Sequence, residues 1–468
     1  MKTPYTHSLL LLIMAGSALP LHAYLSSNDP CPLYHTGNPR NIFIGQEGCK
    51  RKQRARFSAS VFRQSADKAG NCGTDEVPLG DIHGRWNMLA LFFPEEGGST
   101  LVKDALVSAL NLTNDENCID TISSPSSGIQ NNEITEDKPN PHQFGFFSVP
   151  IDYRKYGARI ELDFAVCQDV GLLAQTSVAH IYQKPAFEDQ SCDAEQACGG
   201  TIESTCKKMV TKKIMPQHQD IADILGVDIT EFSDTQAEDL SLSLYWSRCF
   251  EINKGYARKA KDWPHFTITP YIVGHVCLPL SKTYDPNHLF SLPFGNGPHR
   301  AGGFNAGFTL NFLETVYTCL DGGMIKYSSE HIDQHPVPTH DRQAGIFPRK
   351  ADICCNPGTT WTFGAMIGCD HFVDRLSGWV EFRTTHHAKD TINIINPIKE
   401  NTSDSFATSD IKVKKMQQES EWSSNMVNIG LNYDISPNVA LGFLWQAPIR
   451  QHNAYRSNTI MGNITASF

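Results

Sequence analysis

Beyond residue 14 the chain has no unbroken apolar stretch approaching the ~20 residues that a membrane-spanning helix needs, which excludes a helical membrane protein. It also lacks a basic excess. Asp and Glu total 50 against 40 Lys and Arg, a formal net charge of −10, which excludes nucleic acid as the main partner. Zinc-type CxxC pairs are missing: Cys192, Cys198 and Cys206 are unevenly spaced and Cys354-Cys355 are adjacent. No GxSxG elbow or HExxH helix occurs, and Gly295, Gly297, Gly302 and Gly303 lie in a Pro-interrupted loop rather than a phosphate loop. The expectation is therefore no enzyme, no cofactor and no metal.

The N-terminus reads as a secretory signal over 1–23. Lys2 precedes the apolar run Leu9–Met14, small residues Ala15, Gly16, Ser17 and Ala18 follow, and cleavage falls after Ala23 despite the large Leu21. No Cys follows that site directly, so no lipid anchor is expected. Residues 24–50 then form an N-terminal periplasmic segment. All 14 Cys lie beyond the signal, and in an exported chain disulfides are the default.

Period-two alternation dominates the rest. Strand side chains point to opposite faces in turn, so a half-buried strand is apolar at every second position. Phe304, Ala306, Phe308, Leu310 and Phe312 alternate with Asn305, Gly307, Thr309 and Asn311. Phe266, Ile268, Pro270, Ile272, Gly274, Val276 and Leu278 alternate with Thr267, Thr269, Tyr271, Val273 and His275. Tyr156, Ala158, Ile160, Leu162, Phe164 and Val166 alternate with Arg159, Glu161 and Asp163. An Arg facing lipid at mid-membrane costs about 2–4 kcal/mol, so the charged face of that segment is expected to point into a wet lumen.

Turn residues separate these runs. Asp374-Arg375-Leu376-Ser377 and Asp434-Ile435-Ser436-Pro437-Asn438 predict tight hairpins, whereas 279–302, 328–359 and 385–424 are long and polar. Short turns on one side and long loops on the other is the asymmetry of a closed antiparallel transmembrane β-barrel, an all-β fold. The final segment sets Ile460, Gly462, Ile464, Ala466 and Phe468 on one face, an aromatic-ended strand of the kind outer-membrane barrels present to their assembly machinery. Counting back from it gives about fourteen strands, within a range of 12–16. The first of these are 54–65, 84–93, 144–153 and 157–166. That count puts the long stretch 94–143 on the short-turn side and a turn near Arg154-Lys155 on the other, which is backwards for the architecture. The barrel is assigned to 51–468.

Within it, 184–238 reads as a large, partly helical loop insertion that covers or narrows the mouth. Ile221, Ala222, Ile224 and Leu225 supply its apolar face and Gly226 its stop. Leu101–Leu112 has helical spacing and reads as a small packed helix.

The layout resembles Gram-negative porin-type outer-membrane barrels across essentially the whole mature chain. A narrower likeness is to the Cys-rich chlamydial-type major outer membrane porins. It rests on Tyr156-Gly157-Ala158-Arg159 leading to Cys167, then Gly171 and a strand ending Tyr182-Gln183-Lys184-Pro185. Ser467 stands where that family has a basic residue before the final Phe. The first resemblance implies a bacterial outer-membrane channel for passive diffusion of small hydrophilic solutes, and the second a diffusion pore that stiffens the envelope through intermolecular disulfides. Expected partners are outer-membrane lipid, the barrel assembly machinery, and further copies or disulfide-linked envelope proteins. Two other readings stand beside the channel: a Cys-rich structural or adhesive barrel, and a soluble secreted β-protein.

The pore-lining candidates are Arg159, Glu161, Asp163, Thr267, Thr269, Asn305, Thr309, Asn311, Glu381, Arg383, Asn428 and Asn432. Opposed charges across a channel set up a transverse field that sorts ions. His331, His335 and His340 with Asp341 crowd one segment and His386-His387 another. Pro336 and Pro338 argue for loop there, so these are read as surface histidines.

Overall fold

The computed structural model describes residues 46–47, 50–51, 53–71, 76–92, 101–112, 146–189, 210–252, 266–281, 285–297, 299–312, 315–341, 343–399 and 406–468. The proposed signal, most of segment 24–50, and Cys192, Cys198 and Cys206 lie outside them.

Twelve antiparallel strands close into a barrel. They are β1 Ala55–Ala66, β2 Ile151–Ala165, β3 Val170–Pro185, β4 (two runs, Phe232–Ala237 and Leu240–Ser247), β5 Phe266–Leu278 and β6 Ala301–Phe312. The second half comprises β7 Val316–Tyr327, β8 Thr360–Val373, β9 Leu376–His387, β10 Trp422–Ser436, β11 Val439–His452 and β12 Asn458–Ser467. Sequential neighbours pair throughout, and β12 pairs β1 from Asn458↔Ser65 to Ser467↔Arg56, closing the ring. Backbone bonds between Phe468 and Arg54 and Ala55 finish that seam. Closure matters because an unpaired strand edge in hydrocarbon costs several kcal/mol per group.

Every strand shows its apolar side outward. Val61, Ile160, Leu172, Leu244, Ile272, Phe304, Leu320, Ile367, Val380, Leu431, Phe443 and Ile464, one from each strand, are all exposed. A soluble protein would bury such a belt; a barrel in lipid presents it.

Two of the fourteen expected strands are absent, and both corrections have a physical cause. Residues 84–93 contain the unbroken apolar run Met88–Phe92, which has no alternation; it forms a wholly buried 3-10 turn. The segments 144–153 and 157–166 join in a single strand, β2. Arg154 and Lys155 do not turn the chain but point to opposite faces, Arg154 outward beside Asp152 (2.6 Å) and Lys155 inward onto Glu238 (2.6 Å). With twelve strands the orientation problem disappears. Connections 166–169, 248–265, 313–315, 374–375 and 437–438 lie at one end. Those at 67–150, 186–231, 279–300, 328–359, 388–421 and 453–457 lie at the other.

The described parts of the long connections pack over their end of the barrel. Helix α1 (Leu101–Ala109) buries Leu106 and Val107, as its spacing predicted. Helix α2 (His218–Ile224) buries Ile221 and Ala222, but Ile224 is exposed, a correction to the expected apolar face. Both join Leu79, Trp86, Met88–Phe92, Phe147 and Phe290–Phe294 in one apolar core, a dome. Beside it a three-stranded sheet (Glu330–Val337, Arg349–Asn356, Thr391–Pro397) packs on helix α3 (Val413–Glu419) around Ile332, Ile353, Ile392 and Met416. His331 and His335 therefore sit on a strand rather than in a loop. A bulge between Ile332 and His335, with Gln334 at φ 51°, lets Pro336 pair opposite Lys350 without ending the ladder. Among the described residues no group of His, Cys, Asp and Glu is placed to hold a metal.

Candidate functional site

The inner face of the barrel carries the chemistry. Strand alternation places Arg159, Glu161 and Asp163 inward on β2, Thr267 and Thr269 on β5, Asn305, Thr309 and Asn311 on β6, Glu381 and Arg383 on β9, and Asn428 and Asn432 on β10. Register then draws seven of these twelve into two clusters on opposite halves of the strand order.

The first lies on β1–β4. Arg56 Nη2 is 2.6 Å from Glu161 Oε1 and 3.7 Å from Asp163 Oδ2, and Arg159 Nη2 is 3.3 Å from Glu161 Oε2. Arg159 also donates to Gln175, and Tyr245 Oη donates to Asp163 at 2.7 Å. Tyr245 reaches across β3 because Gly171 lies under its ring; a side-chain carbon at Gly171 would stand 2.3 Å from Tyr245 Cζ.

The second lies on β6–β10. Arg383 Nη2 is 2.5 Å from Glu381 Oε1 and 3.2 Å from Asp321 Oδ1. Asn428 donates to Glu381 (2.6 Å) and Asn305 to Asp321 (3.2 Å). Thr267, Thr269, Thr309, Asn311 and Asn432 lie on the same inner face but outside both ion-paired groups. Register sets Thr267 opposite Asn311 and Thr269 opposite Thr309 on β5–β6, and Asn432 opposite Ser377 on β9–β10. Alternation flagged none of Arg56, Gln175, Tyr245 and Asp321. Arg56 stands first in Arg56-Phe57-Ser58-Ala59-Ser60-Val61, a pattern that does alternate; Asp321 directly precedes Gly322-Gly323, where alternation gives no side-chain signal.

The expectation of a wet lumen needs correcting at this height. The clustered charges are 3–9 % exposed. On the same inner wall, Leu173, Tyr245, Tyr271, Val273, Tyr317, Cys319, Met366 and Trp379 form an apolar belt, every member under 10 % exposed. Side chains fill the interior here. The reason is in the sequence: β5 carries Tyr271 and Val273 on its inward face, so alternation there is not apolar against polar. A polar cavity of about 230 Å³ remains toward the short-turn end, between Arg56, Arg159, Ser58, Asn432, Asn463 and Thr465.

Of the described cysteines, Cys167, Cys277, Cys319, Cys354, Cys355 and Cys369 are free thiols and Cys249 is disulfide-bonded, so disulfides do not account for most of them. His387 is buried at the end of β9, with Nδ1 2.8 Å from Thr360 Oγ1 and Nε2 2.9 Å from Asp390 Oδ1, a correction to its reading as a surface residue. His386, its neighbour, faces outward and is exposed.

No protein-family model and no curated protein matches the chain. Among solved structures, an outer-membrane channel from Pseudomonas putida F1 is similar at 8 % identity and TM-score 0.45, over 89 % of this chain and 96 % of that one. The transport unit of the autotransporter AIDA-I from Escherichia coli is similar at 8 % identity and TM-score 0.33, over 96 % and 99 %. The NanC porin is similar at 7 % identity and TM-score 0.28, over 67 % and 94 %. The barrel itself rests on this chain's own strand ladder, not on those overlaps.

Proposed function

We propose that the protein is a bacterial outer-membrane channel for small hydrophilic solutes, held closed in this state by the tyrosine-rich belt on its inner wall. One observation carries the reading: a closed ring of strands with apolar side chains facing out on every strand and ion-paired side chains facing in. That distribution is stable only when lipid lies outside and polar groups meet inside. The Arg56–Glu161 and Arg383–Asp321 groups would then set the field a permeating ion meets. The aromatic-ended β12, with Ile460, Gly462, Ile464, Ala466 and Phe468 all on the lipid side, is the segment we expect the assembly machinery to grasp. Refolded protein in a planar bilayer should raise conductance in discrete steps, and Arg159→Gln should shift ion preference toward cations. A flat current across several salts and voltages would remove the channel reading.

A second reading, a cross-linking envelope barrel, is favoured by Cys167. This thiol is free and exposed in the turn between β2 and β3. Gels with and without reductant test it: a reducible oligomer that Cys167→Ser abolishes is the expected result, and identical monomer bands would end it.

A further inference from the structure

A second cavity, of about 190 Å³, lies where the dome, the barrel rim and the three-stranded sheet meet. Its wall is apolar. Leu79, Trp86 and Phe290 are each 5 % exposed or less, and Ile82, Leu292 and Tyr455 no more than 8 %. Two rings form one side of it: Trp86 and Phe290 stack with centroids 5.8 Å apart and planes 7° from parallel. Trp86 is locked in place. Its Nε1 donates to the Gly80 carbonyl at 3.0 Å, and its ring rests against Gly345, where φ is +82° and a side-chain carbon would stand 2.1 Å from Trp86 Cδ2. The cavity is thus a preformed slot rather than a gap left by loose loops.

Four polar side chains, His83, Gln183, His335 and Glu419, interrupt that wall. His83 lines the cavity, and its Nδ1 is buried with no hydrogen-bond partner. An unpaired polar atom in an apolar wall is costly, and a bound group that pairs with it recovers that cost. Burial pulls the imidazole below its ordinary value of 6.5, against a smaller opposing pull from Glu419, so the ring is neutral near pH 7. A neutral ring nitrogen can accept from a hydroxyl or donate to its oxygen; it would not attract an anion.

From this geometry we infer that the cavity is a binding site for a small neutral monocyclic aromatic alcohol of the phenol class. The size fits: a dry cavity of about 150 Å³ lined by similar side chains takes benzene, so this one holds a substituted ring. The flat Trp86–Phe290 pair favours an aromatic over a branched aliphatic guest. The His83 nitrogen favours a hydroxylated ring over its hydrocarbon analogue. The site is outside the barrel interior and does not depend on the channel reading.

The test is equilibrium dialysis of labelled p-cresol and labelled toluene against the full-length, detergent-folded protein at pH 7.5, with protein-free micelles as the blank. Expected are saturable binding of one p-cresol per chain and weaker binding of toluene, by about three- to tenfold. Ala344→Trp, a change in the lining, puts a large ring into the cavity and should abolish saturable binding of both; Leu289→Trp, also in the lining, should do the same if the first variant does not fold. His83→Leu should bind toluene at least as well while losing the preference for p-cresol. Non-saturable uptake by the wild-type protein, or uptake that neither Trp variant alters, overturns the site. An unchanged p-cresol preference in His83→Leu overturns the phenol assignment.

Discussion

Arg383 on β9 holds Asp321 on β7 across an intervening strand, Nη2 to Oδ1 3.2 Å, and it does so over the bare backbone of Gly364 on β8. Register puts Asp321 opposite Gly364 and Gly364 opposite Arg383, so three neighbouring strands contribute a charge, a gap and a charge at one height. Glu381, two residues from Arg383, shares the same guanidinium and is steadied by Asn428. The cluster is built by strand register and is invisible in any one segment.

Removing the shared cation should therefore be expensive. Arg383→Met leaves Glu381 and Asp321 buried without their counter-charge and is expected to cost about 3–5 kcal/mol. The triple change Arg383→Met, Glu381→Gln, Asp321→Asn should recover much of that loss. Urea midpoints of detergent-folded protein compare the three forms; equal midpoints for wild type and Arg383→Met would contradict the buried network.

The gap matters as much as the charges. A side-chain carbon at Gly364 would stand 2.4 Å from Asp321 Oδ1 and 2.9 Å from Arg383 Nη2. Gly364→Val keeps every ionisable group yet should cost about 1–3 kcal/mol through overpacking. Gly274, where a side-chain carbon would meet nothing within 4 Å, is the control and should tolerate the same change with little loss in midpoint.

On the outer wall the sign of the argument reverses. Ile160 is 47 % exposed and, in the proposed orientation, faces lipid. Ile160→Arg should cost about 2–4 kcal/mol and lower the folded, heat-modifiable fraction recovered in vesicles. Full recovery would mean that this belt does not face hydrocarbon.

The closed interior makes a kinetic prediction. Tyr245→Ala with Tyr271→Ala removes two rings of the inner belt and one hydrogen bond to Asp163. Single-channel conductance should rise, while stability falls by several kcal/mol, on the order expected for deleting large buried side chains. Wild-type conductance in the double variant would show that the belt is not the restriction.

The dome should loosen in mild acid. Burial lowers the His83 pKa, so protons bind the unfolded dome more readily than the folded one. Its contribution is present above 6.5 and is lost as pH falls from there through the folded value. Asp81, which accepts from Ser148 Oγ (2.6 Å) and the Val149 amide (2.9 Å), works oppositely: burial raises its pKa, so its protonation as pH falls favours the fold. Hydrogen exchange of 79–92 at pH 7.5 and 5.5 should show faster opening at the lower pH. His83→Leu should remove the difference.

Much of the barrel was legible because lipid imposes a rule that one strand can obey alone. Tyr156 to Val166 alternates on its own, without knowledge of its neighbours, and the Pro437-Asn438 turn announces itself by composition. Errors arose where that rule does not apply. Met88–Phe92 is apolar on every face because it packs inside the dome, not against a membrane. Lys155 resembled a turn residue because its partner, Glu238, lies 83 positions away in the break of β4.

Taken alone, the order of residues determined that strands would form, which side of most of them would be oily, and where the tight hairpins would bend, since each follows from side-chain periodicity and turn chemistry within a few residues. Only the tertiary structure decided the strand number, the pairing of Arg56 with Glu161 and of Arg383 with Asp321, the filled interior, and the slot beside Trp86. Those depend on contacts between residues tens to hundreds of positions apart, which shear and closure of the sheet bring to one height.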